Sequence, residues 1–324
     1  MLVAKEADLR HRYDVTWRLT GVATRRSGWL ADPRGFNPGE LLESHPSAPA
    51  AHDTHAAPPR DVREWLARAQ ADVLFETTSL NTDTGQPAID HLRAALEHGA
   101  HAISANKGPI LHAWSELSAL AREKGKRFLH ESTVMDGVPV FSLFPAGLPA
   151  TDLRAITGVL NSTTNVVLTE IEKGRSFDEA VRHAQSLGIA ETDPTHDLDG
   201  WDAAVKIAAL VIVLMGVPLR IEQVRRTGIR ELNLEKIRSA RAAGMRYKLV
   251  CRATRHAHGV EAVVQPELLP LSDPLAQLEG SSSAVRFDLD VFSFSLVEHQ
   301  PGIEATAYGL LADFLRVVQP LTGS

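Results

Sequence analysis

The sequence predicts an α/β protein: a parallel-sheet domain followed by an α+β domain. Two observations carry that prediction. Strand-like and helix-like segments alternate from residue 1 to residue 133, the pattern of a parallel sheet with crossover helices. After residue 140 the pattern gives way to helices mixed with a long hairpin. At 324 residues the chain also has the length of two domains of ~100–200 residues each.

Residues 1–13 read as a helix with Leu2, Ala7 and Leu9 available for packing. Residues 16–24 read as a strand, and 36–60, with five of the eighteen prolines, as a long connecting loop. Helices are expected at 61–70, 86–98 and 110–124, and strands at 72–77, 101–105 and 127–133. Ala88, Leu92, Ala95 and Leu96 line one side of the second of these helices. Further on, residues 157–161 and 166–172 flank a polar Ser-Thr-Thr-Asn segment. Residues 176–186 read as a helix, and 201–215 as a buried helix with Asp199 as its N-cap. Residues 247–254 and 260–268 alternate around a turn at 256–259 and predict a hairpin. Segments 271–278, 284–289 and 293–298 continue the mixed pattern, and 305–317 closes as a helix.

Charged residues make up 23% of the chain and apolar residues 44%, as in an ordinary globular protein. A net charge of -6 argues against nucleic acid or an anionic membrane as the main partner. The single cysteine, Cys251, excludes an internal disulfide framework and fits a reducing cytoplasm. The longest apolar run, 207–215, is well short of the ~18 residues of a membrane span. Charged residues run through positions 1–15, so no signal peptide is expected.

The densest chemistry lies in residues 191–206. Five carboxylates (Glu191, Asp193, Asp197, Asp199, Asp202) fall within twelve residues, and Lys206 follows. Asp202 and Lys206 are four apart, which places them on one helical face at ion-pairing distance. The apolar run after them sets the pair at the start of a buried helix. Only 8 of the 34 basic residues are lysines, and a lysine beside a core has its pKa moved by its surroundings. A second lysine, Lys107, sits in the segment SANKGP at the end of a predicted strand, where ligands bind in open α/β sheets. Thr77, Thr78 and Ser79 leave another strand end and can present hydroxyls to a cofactor ring; simple turn chemistry is the competing reading. A divalent cation is the competing reading for Glu191, Asp193 and Asp197.

A dinucleotide-binding domain carries a first strand and a G-x-G-x-x-G turn ahead of its first helix. None of the 22 glycines of this chain is separated from another by one residue, and the chain is expected to start inside that helix. The expectation is a sheet lacking its first strand and glycine loop. Arg25 and Arg26 follow the segment expected to be the second strand, a position where arginine accommodates the 2′-phosphate of NADP; a solvated basic loop is the competing reading.

Seven segments in order, GVATRRSGW, ETTSLNTDTGQPA, SANKGPI, HESTVMDGVPV, GVLNSTTNVVLTEIEKG, AQSLGIAETDPTHDLDGWDAAVK and TAYGLLADFL, resemble homoserine dehydrogenase. The resemblance runs from residue 1 to about 318. It implies a Rossmann-type domain over 1–140, completed by the helix 303–318, and a substrate-binding and dimerisation domain over 141–302. It also implies interconversion of L-homoserine and L-aspartate 4-semialdehyde by a cytoplasmic homodimer, in threonine, methionine and isoleucine biosynthesis. By motif, the family's two active-site lysines fall at Lys107 and Lys206, with Asp202 pairing Lys206. Glu191, Asp197 and Thr163 fall at the substrate's amino and carboxyl groups. The resemblance sets Thr77, Thr78, Ser79, Lys107 and Gly302 at the cofactor, NADP with NAD as the alternative. A monovalent cation is implied in the turn holding Glu131, Val134, Asp136 and Val138, bound mostly through backbone carbonyls.

Ser162 and Ile189 depart from the glycine and tyrosine that many members have there. A C-terminal regulatory domain of the kind that some members carry is not expected, nor is threonine feedback through it. The rival expectation, from another class, is a non-catalytic homologue that binds an amino acid or partners a complete subunit. Substrate recognition is expected of the chain as it stands, and turnover only with the glycine-loop segment restored.

Overall fold

The computed structural model describes residues 1–25, 28–43 and 59–319. They form two compact units. The first comprises Met1–Pro109, Ala113–His130 and Ala307–Ser324, and the second Ile110–His112 and Glu131–Thr306.

The first unit opens with α1 (Glu6–Tyr13), which buries Leu9 and ends at Asp14 in a left-handed conformation. Strand β1 (Leu19–Thr24) is shorter than the sequence suggests. It pairs antiparallel with β2 (Gly28–Phe36), a strand that sequence reasoning left unassigned. Asp32, Pro33 and Gly35 give β2 the composition of a loop, and Trp29 overrides it. Its ring meets Trp65 edge to face, with centroids 5.8 Å apart. The Trp65 Nε1–H donates to the Leu30 carbonyl at 2.7 Å. Gly21 on β1 has no alternative, since a Cβ there would lie 2.8 Å from the Trp65 ring. The expected long loop contains the short helix α2 (Pro38–Glu43); residues 44–58 lie outside the described residues.

Trp65 belongs to α3 (Val62–Ala69), started by Asp61, whose carboxylate accepts the Glu64 N–H. Then come β3 (Val73–Glu76), α4 (Ala88–His98), β4 (His101–Ser104), α5 (Gly108–Glu123) and β5 (Phe128–Leu129). The three strands form a parallel sheet in the order β3-β4-β5. Ile89, Leu92 and Leu96 of α4 pack with Ala113, Leu117 and Ala121 of α5 in one core. A second core joins Leu9, Val15 and Ile103 to Leu311, Phe314 and Val317 of the closing helix, Ile303–Val318. Each fully buried leucine or phenylalanine contributes about 1.5–3 kcal/mol relative to an exposed one.

The second unit runs through α6 (Val140–Gly147), β6 (Leu153–Val159), α7 (Ser162–Glu172), α8 (Phe177–Ser186), α9 (Thr195–Leu198) and α10 (Trp201–Leu210). It continues with β7 (Arg225–Arg226), α11 (Leu234–Ala242), β8 (Met245–His256), β9 (Gly259–Pro270), β10 (Ser283–Leu289) and β11 (Ser293–Glu298). Its sheet has the order β11-β10-β6-β8-β9-β7, antiparallel except for β7 against β9. The expected hairpin is β8–β9, two residues longer at each outer end than its alternation suggests.

The expected buried helix is α10 followed by a π-helical turn, Val211–Met215. Its N-cap is Gly200 at φ 79°, not Asp199. Asp199 instead closes α9, with its carboxylate taken by Arg230 and its carbonyl by Arg226. Among the described residues no helix is long and apolar enough to cross a membrane.

Candidate active site

In the second unit the polar Ser-Thr-Thr-Asn segment is the first turn of α7, and Asn161 caps it. The Asn161 Oδ1 accepts the Thr164 N–H at 2.8 Å, which leaves its amide group to serve other partners. That group donates to Asp197 Oδ1 at 2.6 Å and to Asp202 Oδ2 at 3.0 Å. One carboxamide thus bridges two carboxylates from α9 and α10 that would otherwise repel each other. One turn beyond Asp202, the Lys206 ammonium stands 3.3 Å from Asp202 Oδ2 and donates to the Leu160 carbonyl at 2.7 Å. Thr163 is buried, with its hydroxyl donating to the Ile189 carbonyl at 3.2 Å.

The electrostatics follow from this arrangement. Burial disfavours the charge of Lys206, yet Asp202, Asp136 and Asp197 together outweigh it and hold the ammonium above the usual lysine range. Burial and the neighbouring Asp202 push Asp197 up, against the Asn161 hydrogen bond and the Lys206 charge. Asp136 accepts the Thr306 hydroxyl at 2.5 Å. Burial and the Asp136 charge push Glu298 up to about 7, against the Ser283 hydroxyl and Lys206. The cluster therefore holds one ammonium among several carboxylates and is suited to accept a further cationic group.

Glu191 is exposed on the loop before α9, where Gln185 Nε2 donates to its carbonyl at 3.2 Å. Both carboxylate oxygens of Glu131 are committed to the start of α6, accepting the N–H groups of Phe141 at 2.6 Å and Ser142 at 3.1 Å. Val134 is buried, and the Val138 carbonyl accepts the Val140 N–H at 2.7 Å. Among the described residues no group of three or more His, Cys, Asp or Glu could hold a metal ion.

In the first unit, β3 ends at the buried Glu76. Its Oε1 accepts the Thr78 N–H at 3.1 Å and the Thr78 hydroxyl at 2.5 Å. The Thr78 hydroxyl proton is thus committed within the protein, while Thr77 and Ser79 stand exposed beside it. β4 ends at Ser104, and the chain turns through Asn106 to Lys107, the N-cap residue of α5. Asn106 Nδ2 donates to the Thr78 carbonyl at 3.0 Å, so these two strand-end loops are joined. Arg25 is exposed in the turn after β1, and Arg26 lies outside the described residues. Gly302 is exposed in the second unit, just before the closing helix.

Sequence reasoning assigned no role to Asn106 or Asn161. For Asn161 a signal existed: an asparagine before an apolar helical run is an N-cap pattern. Its amide contacts involve residues 36 and 41 positions away, which no local pattern reveals.

Residues 5–131 match the family described as "Homoserine dehydrogenase, NAD binding domain", and residues 139–315 the family "Homoserine dehydrogenase". An NAD(+)-dependent homoserine dehydrogenase of Pseudomonas canavaninivorans is 39% identical over 95% of this chain and 88% of its own length. A homoserine dehydrogenase of Sulfurisphaera tokodaii is 33% identical over 91% of this chain and 87% of its own. Among solved structures, a putative homoserine dehydrogenase of Archaeoglobus fulgidus superimposes with a TM-score of 0.81 at 27% identity, covering 98% of this chain and 93% of that one. A hyperthermophilic archaeal homoserine dehydrogenase in complex with NADPH gives 0.74 at 27% identity, covering 91% and 86%. With both families matched along its length and a relative this similar over nearly all of it, the chain belongs to the homoserine dehydrogenases.

Proposed function

We propose that this chain interconverts L-homoserine and L-aspartate 4-semialdehyde with a nicotinamide dinucleotide, a step in threonine, methionine and isoleucine biosynthesis. The observation that carries the reading is the Asn161-bridged pair of Asp197 and Asp202 beside Lys206. Asp197, with Glu191 on the adjoining loop, holds the substrate's ammonium group, and Thr163 lines the same region. An ammonium docking at Asp197 stabilises its ionised form, which burial alone disfavours. Lys206 remains protonated at neutral pH because the carboxylates around it hold its pKa up. In the reducing direction it gives a proton to the alkoxide that forms as hydride reaches the aldehyde carbon. A raised lysine pKa is no obstacle, because an alkoxide is a far stronger base than any amine.

The ends of β3 and β4, with the exposed hydroxyls of Thr77 and Ser79 and with Lys107, fit the nicotinamide side of a dinucleotide. The bound dinucleotide supplies or accepts the hydride. Arg25, exposed after β1, supports NADP; the printed name of the Pseudomonas relative supports NAD as the second reading. A monovalent cation at residues 131–138 would rest on backbone carbonyls, since the Glu131 carboxylate is committed to α6. Dimerisation through the second unit is supported by its edge strand β11, where Val297 is exposed. A cytoplasmic setting is supported by the single cysteine, Cys251, which is free.

Calorimetric titration with L-homoserine, and homoserine-dependent reduction of NADP+ and NAD+, test the reading. Saturable homoserine binding, with reduction faster for NADP+, is expected. Absence of both binding and turnover overturns the function, and faster reduction of NAD+ overturns only the NADP preference.

A further inference from the structure

We propose that Asn106, acting with Glu76, is a positioning residue that locks residues 77–79 and the Lys107 turn into one preformed platform. The inference rests on the proposed dehydrogenase reading for its kinetic consequence, though not for the clamp itself.

The geometry is closed on every side. Thr78 is held at its N–H and hydroxyl by Glu76 Oε1 and at its carbonyl by Asn106 Nδ2. The second Asn106 amide contact runs to the Ser79 carbonyl at 3.4 Å. At its other end Asn106 Oδ1 accepts the Gly108 N–H at 2.9 Å, in the first turn of α5. The Asn106 backbone is tied as well, its N–H donating to Ser104 Oγ at 3.0 Å. Asn106 is 5% exposed, and both ends of its carboxamide are used inside the protein. It therefore has no polar group to offer a ligand, and its influence on the site runs through Thr78 and Gly108.

Two further observations make the platform rigid. A Cβ on Gly108 would lie 2.9 Å from the Gly85 Cα and 3.2 Å from the Asn81 carbonyl oxygen, so the 81–85 turn is packed directly against the Lys107 turn. Burial favours a neutral Glu76, but His91 and Thr78 outweigh it and hold its carboxyl below the usual range, so it stays an acceptor for Thr78. Loops set in place before binding lower the cost of orienting reactants, and small misplacements cost about 100-fold in rate.

Asn106→Ala and Asn106→Asp in the full chain test this by hydrogen–deuterium exchange, melting temperature and kinetics. Both variants are expected to raise exchange at residues 77–80, since neither can donate to Thr78. Only Asn106→Ala is expected to raise it at Gly108, since aspartate keeps the acceptor. In Asn106→Ala, kcat for homoserine is expected to fall about 100-fold, with homoserine KM within about twofold, the split that marks lost positioning rather than lost binding. Unchanged exchange at residues 77–80, an unchanged kcat, or a general loss of protection with a collapsed melting temperature would overturn the proposal. If the parent chain neither binds homoserine nor turns it over, the dehydrogenase reading fails, and the exchange measurement alone still upholds or overturns the clamp.

Discussion

Two lysines of the second unit are both withdrawn from solvent, yet their charge states are pulled in opposite directions. Lys206 on α10 keeps 16% of its side chain exposed, and Lys248 on β8 is buried. Lys248 donates to Asn165 Oδ1 at 2.6 Å and to the Leu278 carbonyl, both neutral acceptors. Glu172, a carboxylate whose charge reaches Lys248, is claimed by Arg246 at 2.9 Å. Burial, reinforced by the Arg246 charge, pushes Lys248 down to about 8. Lys206 suffers the same desolvation but faces Asp202, Asp136 and Asp197, and its pKa rises. Desolvation is common to both, so the carboxylates within reach decide which lysine keeps its proton. The contrast also separates a group suited to chemistry from one that ties β8 to α7 and the 278 carbonyl.

The largest expected effect breaks the comparison at Lys206, the proposed proton donor. Lys206→Ala should lower kcat/KM for homoserine by about a thousandfold, at the middle of the range for losing a proton-transferring side chain. Lys248→Met, close to isosteric, should leave kcat within a few-fold. Steady-state kinetics of the two variants check this, and equal losses would erase the distinction between the lysines.

Next in size is a stability effect confined to Lys248. Its folded pKa of about 8 lies below its ordinary value of 10.5, so between those values the unfolded chain binds more protons. Raising pH through this window therefore favours the folded state, by up to about 3 kcal/mol for a shift of this size. Lys206 has the opposite sign: its contribution is present at lower pH and lost as pH rises through its raised folded pKa. Urea unfolding of the parent chain and Lys248→Met at pH 8 and pH 10 reads the difference. The variant should lose the rise between the two, and an identical rise in both proteins would show that Lys248 is not the group responsible.

Much of this contrast was legible in the sequence, but unevenly. The spacing of Asp202 and Lys206 shows an ion pair because a helix brings i and i+4 together, and the structure has them 3.3 Å apart. The alternation of strands and helices showed the parallel sheet for the same reason: a local period reports a local conformation. Asn161 and Asn106 were not legible as organisers. Each serves a cap or turn that sequence can suggest, but their second partners come from α9, α10 and the loop after β3. Lys248 reads as an ordinary strand residue, because its acceptors, Asn165 and the Leu278 carbonyl, lie 83 and 30 positions away. Strand β2 was hidden by Asp32, Pro33 and Gly35, turn-type residues that Trp29 and Trp65 overrule by packing. The N-cap of α10 was misassigned because Gly200 takes the left-handed conformation there while Asp199 ends the preceding turn.

The smallest expected effect sharpens the comparison, by asking how far the carboxylate count around Lys206 extends. Glu298 ends β11 opposite Ser283, whose hydroxyl donates to its Oε2 at 3.3 Å. Burial and Asp136 push its carboxyl up to about 7, while Ser283 and Lys206 pull it down. With a folded pKa above the ordinary 4.5, the folded chain binds more protons between these values, so Glu298 contributes stability at low pH that is lost as pH rises toward 7. Glu298→Gln should flatten that decline and leave the variant slightly more stable than the parent above pH 7. The side chain is only partly buried, so solvent screening holds the difference to about 1 kcal/mol or less. Melting curves of the two proteins from pH 5 to pH 8, in low and high salt, measure it. A salt-sensitive difference of this sign means that Glu298 and Asp136 share the field around Lys206. If the curves stay parallel, Glu298 takes no part in that field, and the high pKa of Lys206 rests on the other carboxylates alone.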